Sequence, residues 1–132
     1  MRAPSLRPRR YWIARMEVSI AEEEDPALRR RILETLTARL PEWFAQAEAN
    51  RRYAAQAEIL DPWIARIDGR PRGLLLLERH SPVSAEIYWL GVDPDHHRQG
   101  IGKALIDAVE HRLKEDEEQV SLRHDASSRR PL

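Results

Sequence analysis

Apolar and polar positions along the chain alternate with two periods, two and about four. Met16 to Ile20 (MEVSI) has the period-two alternation of a short strand, and the acidic AEEED that follows reads as a loop. Leu28, Ile32, Leu36 and Leu40 then recur every four residues and predict one buried stripe of a helix. Asp25 suits its N-cap, Pro26 its first position, and Pro41 stops it. A second helical stretch is predicted over 41–60, with Phe44, Tyr53, Ala57 and Leu60 facing inward, closed by Asp61-Pro62. WIARIDG and RPRGLLLLERH (63–80) predict a hairpin turning at DGRP, and SAEIYWLGV (84–92) a further strand rich in β-branched and aromatic residues. Leu105, Ile106, Val109 and Leu113 predict a helix ending in KEDEE, and QVSLRH (119–124) begins one more strand. Strand, helix, helix, three strands, helix, strand, without internal repeat, describes an α/β domain: a mixed, mostly antiparallel sheet with helices on its faces.

Composition narrows the possibilities. With 132 residues, 42% of them hydrophobic, the chain builds one core and one domain. Basic and acidic residues both number 22, which gives no overall pull toward nucleic acid or an anionic membrane. Residues 1–15 carry five arginines and no acid, and are expected to be a disordered basic leader before a candidate start at Met16; the domain would occupy 16–123 and an irregular tail 124–132. A nucleic-acid-binding role for that leader is the rival, and the balanced charge argues against it. The lack of cysteine excludes disulfides, thiolate ligands and a cysteine nucleophile, and fits a reducing cytoplasm. No run reaches the roughly 18 apolar residues of a membrane span, and the leader lacks the apolar core of a secretion signal.

The chemistry concentrates in GVDPDHHRQGIGKAL, Gly91 to Leu105. Glycine is a poor helix former, yet Gly100 and Gly102 stand where a helix begins. A helix start exposes unpaired N–H groups and a partial positive charge, and so holds anions; missing side chains give a phosphate clear approach, and Arg98 and Lys103 add positive charge at the rim. A glycine-bearing cap that merely packs tightly against a sheet is the alternative. Two familiar phosphate loops do not match. A Walker A loop needs Gly at 97 and Ser or Thr at 104, which are His97 and Ala104, and the dinucleotide fingerprint needs Gly or Ala at 105, which is Leu105.

The segment AEIYWLGVDPDHHRQGIGKALIDAVEHRL, Ala85 to Leu113, resembles the signature of the GNAT superfamily of N-acetyltransferases. That signature is Gln/Arg-x-x-Gly-x-Gly/Ala at a strand-loop-helix junction after an apolar strand and a Val-x-Pro-like turn; HRQGIG and GVDP match it, with His97 in the Gln/Arg slot. The resemblance, which extends through the element order over about three quarters of the chain, implies a central, mostly antiparallel sheet flanked by helices. It implies acetyl-CoA as co-substrate, its diphosphate on the amides of Arg98, Gln99, Gly100, Ile101, Gly102 and Lys103, reaching Ala104. Its pantetheine arm would lie along the strand edge at Leu90, Gly91 and Val92, like an added β-strand. It also implies an unidentified amine acceptor that attacks the thioester directly.

Glu86 is the candidate base, because in the histone-acetylating branch a glutamate at the corresponding place takes the amine proton. Period two would put Glu86 on one face with Tyr88 and Leu90. A solvated or salt-bridged strand glutamate is the equal alternative. Trp43 and Phe44 either pack in the core, the favoured expectation, or line the acceptor pocket. No metal site is expected: His96 and His97 should project apart without a third ligand. Relatives continue with another helix and two strands where this chain ends in RHDASSRRPL, so a C-terminally truncated version of the fold is expected, its exposed sheet edge inviting a homodimer. The functional expectation is an N-acetyltransferase; the alternative is a degenerate relative that at most binds acetyl-CoA.

Overall fold

The computed structural model describes residues 8–82 and 84–124, with side chains as far as Glu117. Its elements are β1 (Arg9–Ile13), β2 (Met16–Glu22), α1 (Pro26–Arg39), α2 (Ala47–Ala57), β3 (Asp61–Ile67), β4 (Arg70–Ser81), β5 (Ser84–Val92), a 3₁₀ turn (Pro94–His96) and α3 (Ile101–His124). The strands form one five-stranded sheet in the order β1-β2-β3-β4-β5, every described pairing antiparallel.

The run Leu74 to Leu77 shows why the sheet sits in the middle. All four leucines are buried, alternating between two cores, as a strand covered on both faces requires. On one face Val18, Ile20, Trp63, Ala65, Leu75 and Leu77 meet Ile101, Leu105, Ala108 and Val109 of α3. On the other, Ile64, Leu74, Leu76 and Trp89 meet Ile32, Leu33, Leu36, Ala54 and Ala57 of α1 and α2. Burying each large apolar side chain contributes about 1.5–3 kcal/mol, so these two faces hold the sheet between its helices.

Three expectations change. Arg9–Ile13 is a strand, not disordered leader: it pairs with Met16 to Ile20, and Tyr11 and Ile13 pack against the α3 core. Its tight turn, Ala14 and Arg15 at φ 50° and 64°, is a primed hairpin turn made without the Asn-Gly that normally announces one. Residues 1–7 lie outside the described chain. The strand expected at 119–124 is helical instead, because α3 continues through His124. Of 114–119 all but Asp116 are good helix formers, with no Gly or Pro to stop them, and the Val120/Leu122 alternation is too short to compete. Residues 125–132 of the expected tail lie outside the described residues. Finally, the second helix is shorter than the 41–60 expected. Pro41 ends α1, the Leu40 carbonyl accepts from the N–H groups of Trp43 and Phe44 at 3.1 and 3.0 Å, and 41–46 becomes a connection.

Candidate functional site

β5 brings the candidate residues to the sheet's edge, and it is irregular there. Leu76 pairs with Trp89 but Leu77 with Ile87, leaving Tyr88 unpaired in a bulge. The bulge breaks the period-two expectation. Tyr88 packs on the α1/α2 side and Leu90 on the α3 side, so Glu86, Tyr88 and Leu90 do not share one face. Trp89 turns its indole back across Gly91, where an added Cβ would come within 2.4 Å of the ring. Gly91 is therefore glycine because the indole needs its space.

Asp93 fastens the chain beyond the strand. Its N–H donates to the Arg72 carbonyl of β4 at 2.7 Å, and its carboxylate, 4% exposed, accepts from Arg39 Nη1 at 2.9 and 2.7 Å and from the Asp95 N–H at 2.9 Å. Arg72 stands 3.5 Å away as a second cation. Hydrogen bonding to the Asp95 carboxylate, then the Asp93 charge, raise the Arg39 guanidinium above its ordinary pKa. This anchor between α1, β4 and the loop was missed in the sequence. Only the Asp-Pro pair, an N-cap before a first-position proline, pointed to it.

From that anchor the loop runs into α3. His96 Nδ1 lies 3.1 Å from Gln99 Oε1 while His97 Nε2 lies 2.7 Å from the Val92 carbonyl oxygen, so the neighbouring rings do project apart. Arg98 and Gly100 both adopt positive φ, 63° and 91°. The left-handed Arg98 costs roughly 1–2 kcal/mol, the kind of local strain found at binding loops. The Gly100 carbonyl accepts from Ala104 N–H at 3.0 Å, the first α3 bond, so the N–H groups of Ile101, Gly102 and Lys103 have no partner within the helix. No acidic residue stands in that first turn. At Gly102 an added Cβ would meet only Val92 Cγ2, at an ordinary 3.8 Å. Tight packing therefore does not explain Gly102.

These groups face a cleft of about 290 Å³. One wall is Leu40, Trp43 and Phe44 from the α1–α2 connection; the other is Leu90, Gly91 and Val92, with His96, His97, Arg98, Gly100, Ile101 and Gly102 closing the end. Phe44 stacks on Trp89 at 5.1 Å and meets Tyr53 edge-on, serving both core and cleft, while Trp43 is 74% exposed and belongs to the wall alone. Of the expected coenzyme residues, Gln99, Lys103 and Ala104 do not line the cleft. Gln99 turns to His96, Lys103 is exposed on the first turn, and Ala104 is excluded physically, its side chain buried in the α3 core and its N–H already bonded to Gly100.

Glu86 lies apart from this cleft. Five residues up β5 from Gly91, roughly 16 Å at strand rise, its 66%-exposed carboxylate sits 2.8 Å from His80 Nε2. Glu78 pairs with it across the ladder, and the ligand atoms of Glu78, His80 and Glu86 lie within 4.8 Å of one another.

The sequence and the fold were compared with known proteins. A model of the acetyltransferase (GNAT) family matches residues 20–130. A mycothiol acetyltransferase of Propionibacterium freudenreichii subsp. shermanii is 47% identical over 45 residues, 34% of this chain and 11% of that protein. The ribosomal-protein-S18-alanine N-acetyltransferase of Escherichia coli superposes over 76% of this chain and 61% of its own, with a TM-score of 0.57 and 21% identity. An aminoglycoside acetyltransferase from an uncultured soil metagenomic sample superposes over 89% and 95%, with a TM-score of 0.52 and 18% identity. Structural likeness at such identity speaks for the fold, and this chain spans under two thirds of the first of these two structures. The match across most of the sequence is what decides the assignment: the chain belongs to the acetyltransferase (GNAT) family.

Proposed function

We propose that this chain is an N-acetyltransferase that takes its acetyl group from acetyl-CoA and delivers it to a primary amine of a small molecule or a protein. The observation that carries the proposal is the open first turn of α3 beside the outer edge of β5. Free N–H groups at 101–103, with Arg98 and Lys103 at the rim, suit a diphosphate, and the backbone of Leu90 to Val92 suits an amide-bearing arm. The apolar wall of Leu40, Trp43 and Phe44 excludes water from the thioester end. In the reaction the amine nitrogen attacks the thioester carbonyl, the oxyanion is held by a backbone N–H near Leu90 to Val92, and the C–S bond breaks to release the coenzyme as a thiolate that takes a proton from water. The amine proton passes to water in the cleft and reaches Glu86 only along a chain of several waters, since Glu86 stands roughly 16 Å up β5 from Gly91. A cytoplasmic setting suits the cysteine-free composition; no helix among the described residues is long and apolar enough to cross a membrane.

Calorimetry with acetyl-CoA followed by a thiol-release assay on a panel of amines tests the proposal. Saturable binding and amine-dependent release are expected; no acetyl-CoA binding overturns it. Glu86→Gln should lower turnover at least about tenfold with unchanged acetyl-CoA affinity. Binding without turnover on any amine supports the second reading, a non-catalytic acetyl-CoA binder. That reading is favoured by one observation, the placement of Glu86 outside the cleft and against His80.

A further inference from the structure

The outer edge of β5 is not vacant. In an antiparallel ladder a residue's N–H and C=O point together to one side, and those of the next residue to the other. Asp93 directs its N–H to Arg72 of β4, so Val92 directs its own pair away from β4, to the side where the described sheet ends. There His97 Nε2 stands 2.7 Å from the Val92 oxygen. A carbonyl oxygen only accepts, so Nε2 is the donor. His97 can reach back because it is extended, φ −68° and ψ 152°, directly after the 3₁₀ turn that Asp93, Arg39 and Arg72 hold in place. His96 cannot substitute, being turned to Gln99.

We propose that His97 is a built-in competitor for the coenzyme's amide-bearing arm. Its imidazole holds the Val92 carbonyl in the free protein and has to leave before an arm amide pairs with that oxygen. The inference rests on the acetyl-CoA assignment made above. The ring is exposed, so it swings into water by side-chain rotation alone, leaving the backbone of the loop where it is. The net effect is the exchange of one intramolecular hydrogen bond for one to the ligand. His97 therefore weakens acetyl-CoA binding, and weakens only the part of binding that the arm contributes.

The test titrates the full chain and His97→Ala with two ligands, acetyl-CoA and 3′-phosphoadenosine diphosphate, which has the nucleotide and diphosphate but no arm. Removal of the ring should tighten acetyl-CoA binding by about 2- to 10-fold, one neutral hydrogen bond's net worth, and leave the armless nucleotide unchanged. A second readout needs no variant. In long-range proton–nitrogen spectra of the imidazole, the wild-type His97 Nε2–H signal should shift when acetyl-CoA is added and stay in place with the armless nucleotide. Equal or weaker acetyl-CoA binding by His97→Ala, or a ring signal indifferent to acetyl-CoA, overturns the inference while leaving the acetyltransferase proposal standing. Weakened binding of both ligands would instead make the ring a phosphate contact, and also overturns it. If the wild type binds neither ligand, the functional proposal and this inference fall together.

Discussion

The first turns of α1 and α3 solve the same problem in opposite ways. Both begin with backbone N–H groups that the helix itself cannot satisfy. In α1 the protein closes them: Asp25 Oδ1 accepts from Ala27 and Leu28 N–H at 3.0 and 3.3 Å, and Pro26 removes one donor. In α3 the corresponding end has Gly100 before it, Gly102 within it, Lys103 beside it and no acidic residue in the turn. A closed end serves stability. An open one, kept at the mouth of a cleft, suits the diphosphate proposed above, and its place is secured by the Asp93 anchor rather than by a cap of its own.

Closing the α3 end should have the largest effect. Gly102→Glu places a carboxylate where α3 has none, and the site has room for the new Cβ. Acetyl-CoA affinity is expected to fall at least about 30-fold, roughly 2 kcal/mol, about the worth of one charged hydrogen bond. The melting temperature should hold or rise, since an acid favours a helix N-terminus. Loss of both binding and fold would undo the contrast.

Next comes the anchor. Asp93→Ala removes the acceptor of Arg39 and Asp95 and should destabilise the protein by about 2 kcal/mol, visible as a drop of roughly 5–10 °C in Tm. Acetyl-CoA binding should weaken too, because the loop before α3 loses its fixed position. Opening the closed helix is a smaller change: Asp25→Ala should cost about 1 kcal/mol by chemical denaturation and leave acetyl-CoA affinity unaltered. Any fall in affinity would mean the two helix ends are coupled. The smallest effect concerns the strap that β1 lays on α3, where Tyr11 donates its hydroxyl hydrogen bond to Asp107 Oδ2 at 2.7 Å. Burial, and then that hydrogen bond, raise the phenol above its usual 10.0. A raised folded-state value favours the neutral phenol, so its stabilisation is full below about pH 10 and disappears as pH climbs through the raised value. Tyr11→Phe should flatten the alkaline limb of a Tm-against-pH curve and, at pH 7, lose only the roughly 0.5 kcal/mol of that one part-buried hydrogen bond.

Much of this was legible along the chain. Asp25, Pro26 and the every-fourth-residue leucines announced α1, because caps and periodicity are local properties. The glycines at 100 and 102 announced the cleft end for the same local reason, Gly100 through its positive φ and Gly102 by leaving its Cβ out of the first turn. Sequence alone also determined an antiparallel meander at β3 to β5 and a helix opened by glycine. Other features depend on partners far away in the chain. Arg9–Ile13 is a strand because Met16–Ile20 and α3 give its apolar side chains a place, which five arginines in the first fifteen residues concealed. The Tyr88 bulge exists only against Leu76 and Leu77 of β4, and it turns Leu90 to the face opposite the one Tyr88 and Glu86 occupy, breaking the shared face that period two assigned. The Asp93 anchor joins residues 39, 72 and 93, and the His97 bond arises where a strand's outward carbonyl meets a returning loop. Local backbone preferences act within a few residues and can be read in order; register, bulges and buried ion pairs are set by which surfaces meet once the chain has folded.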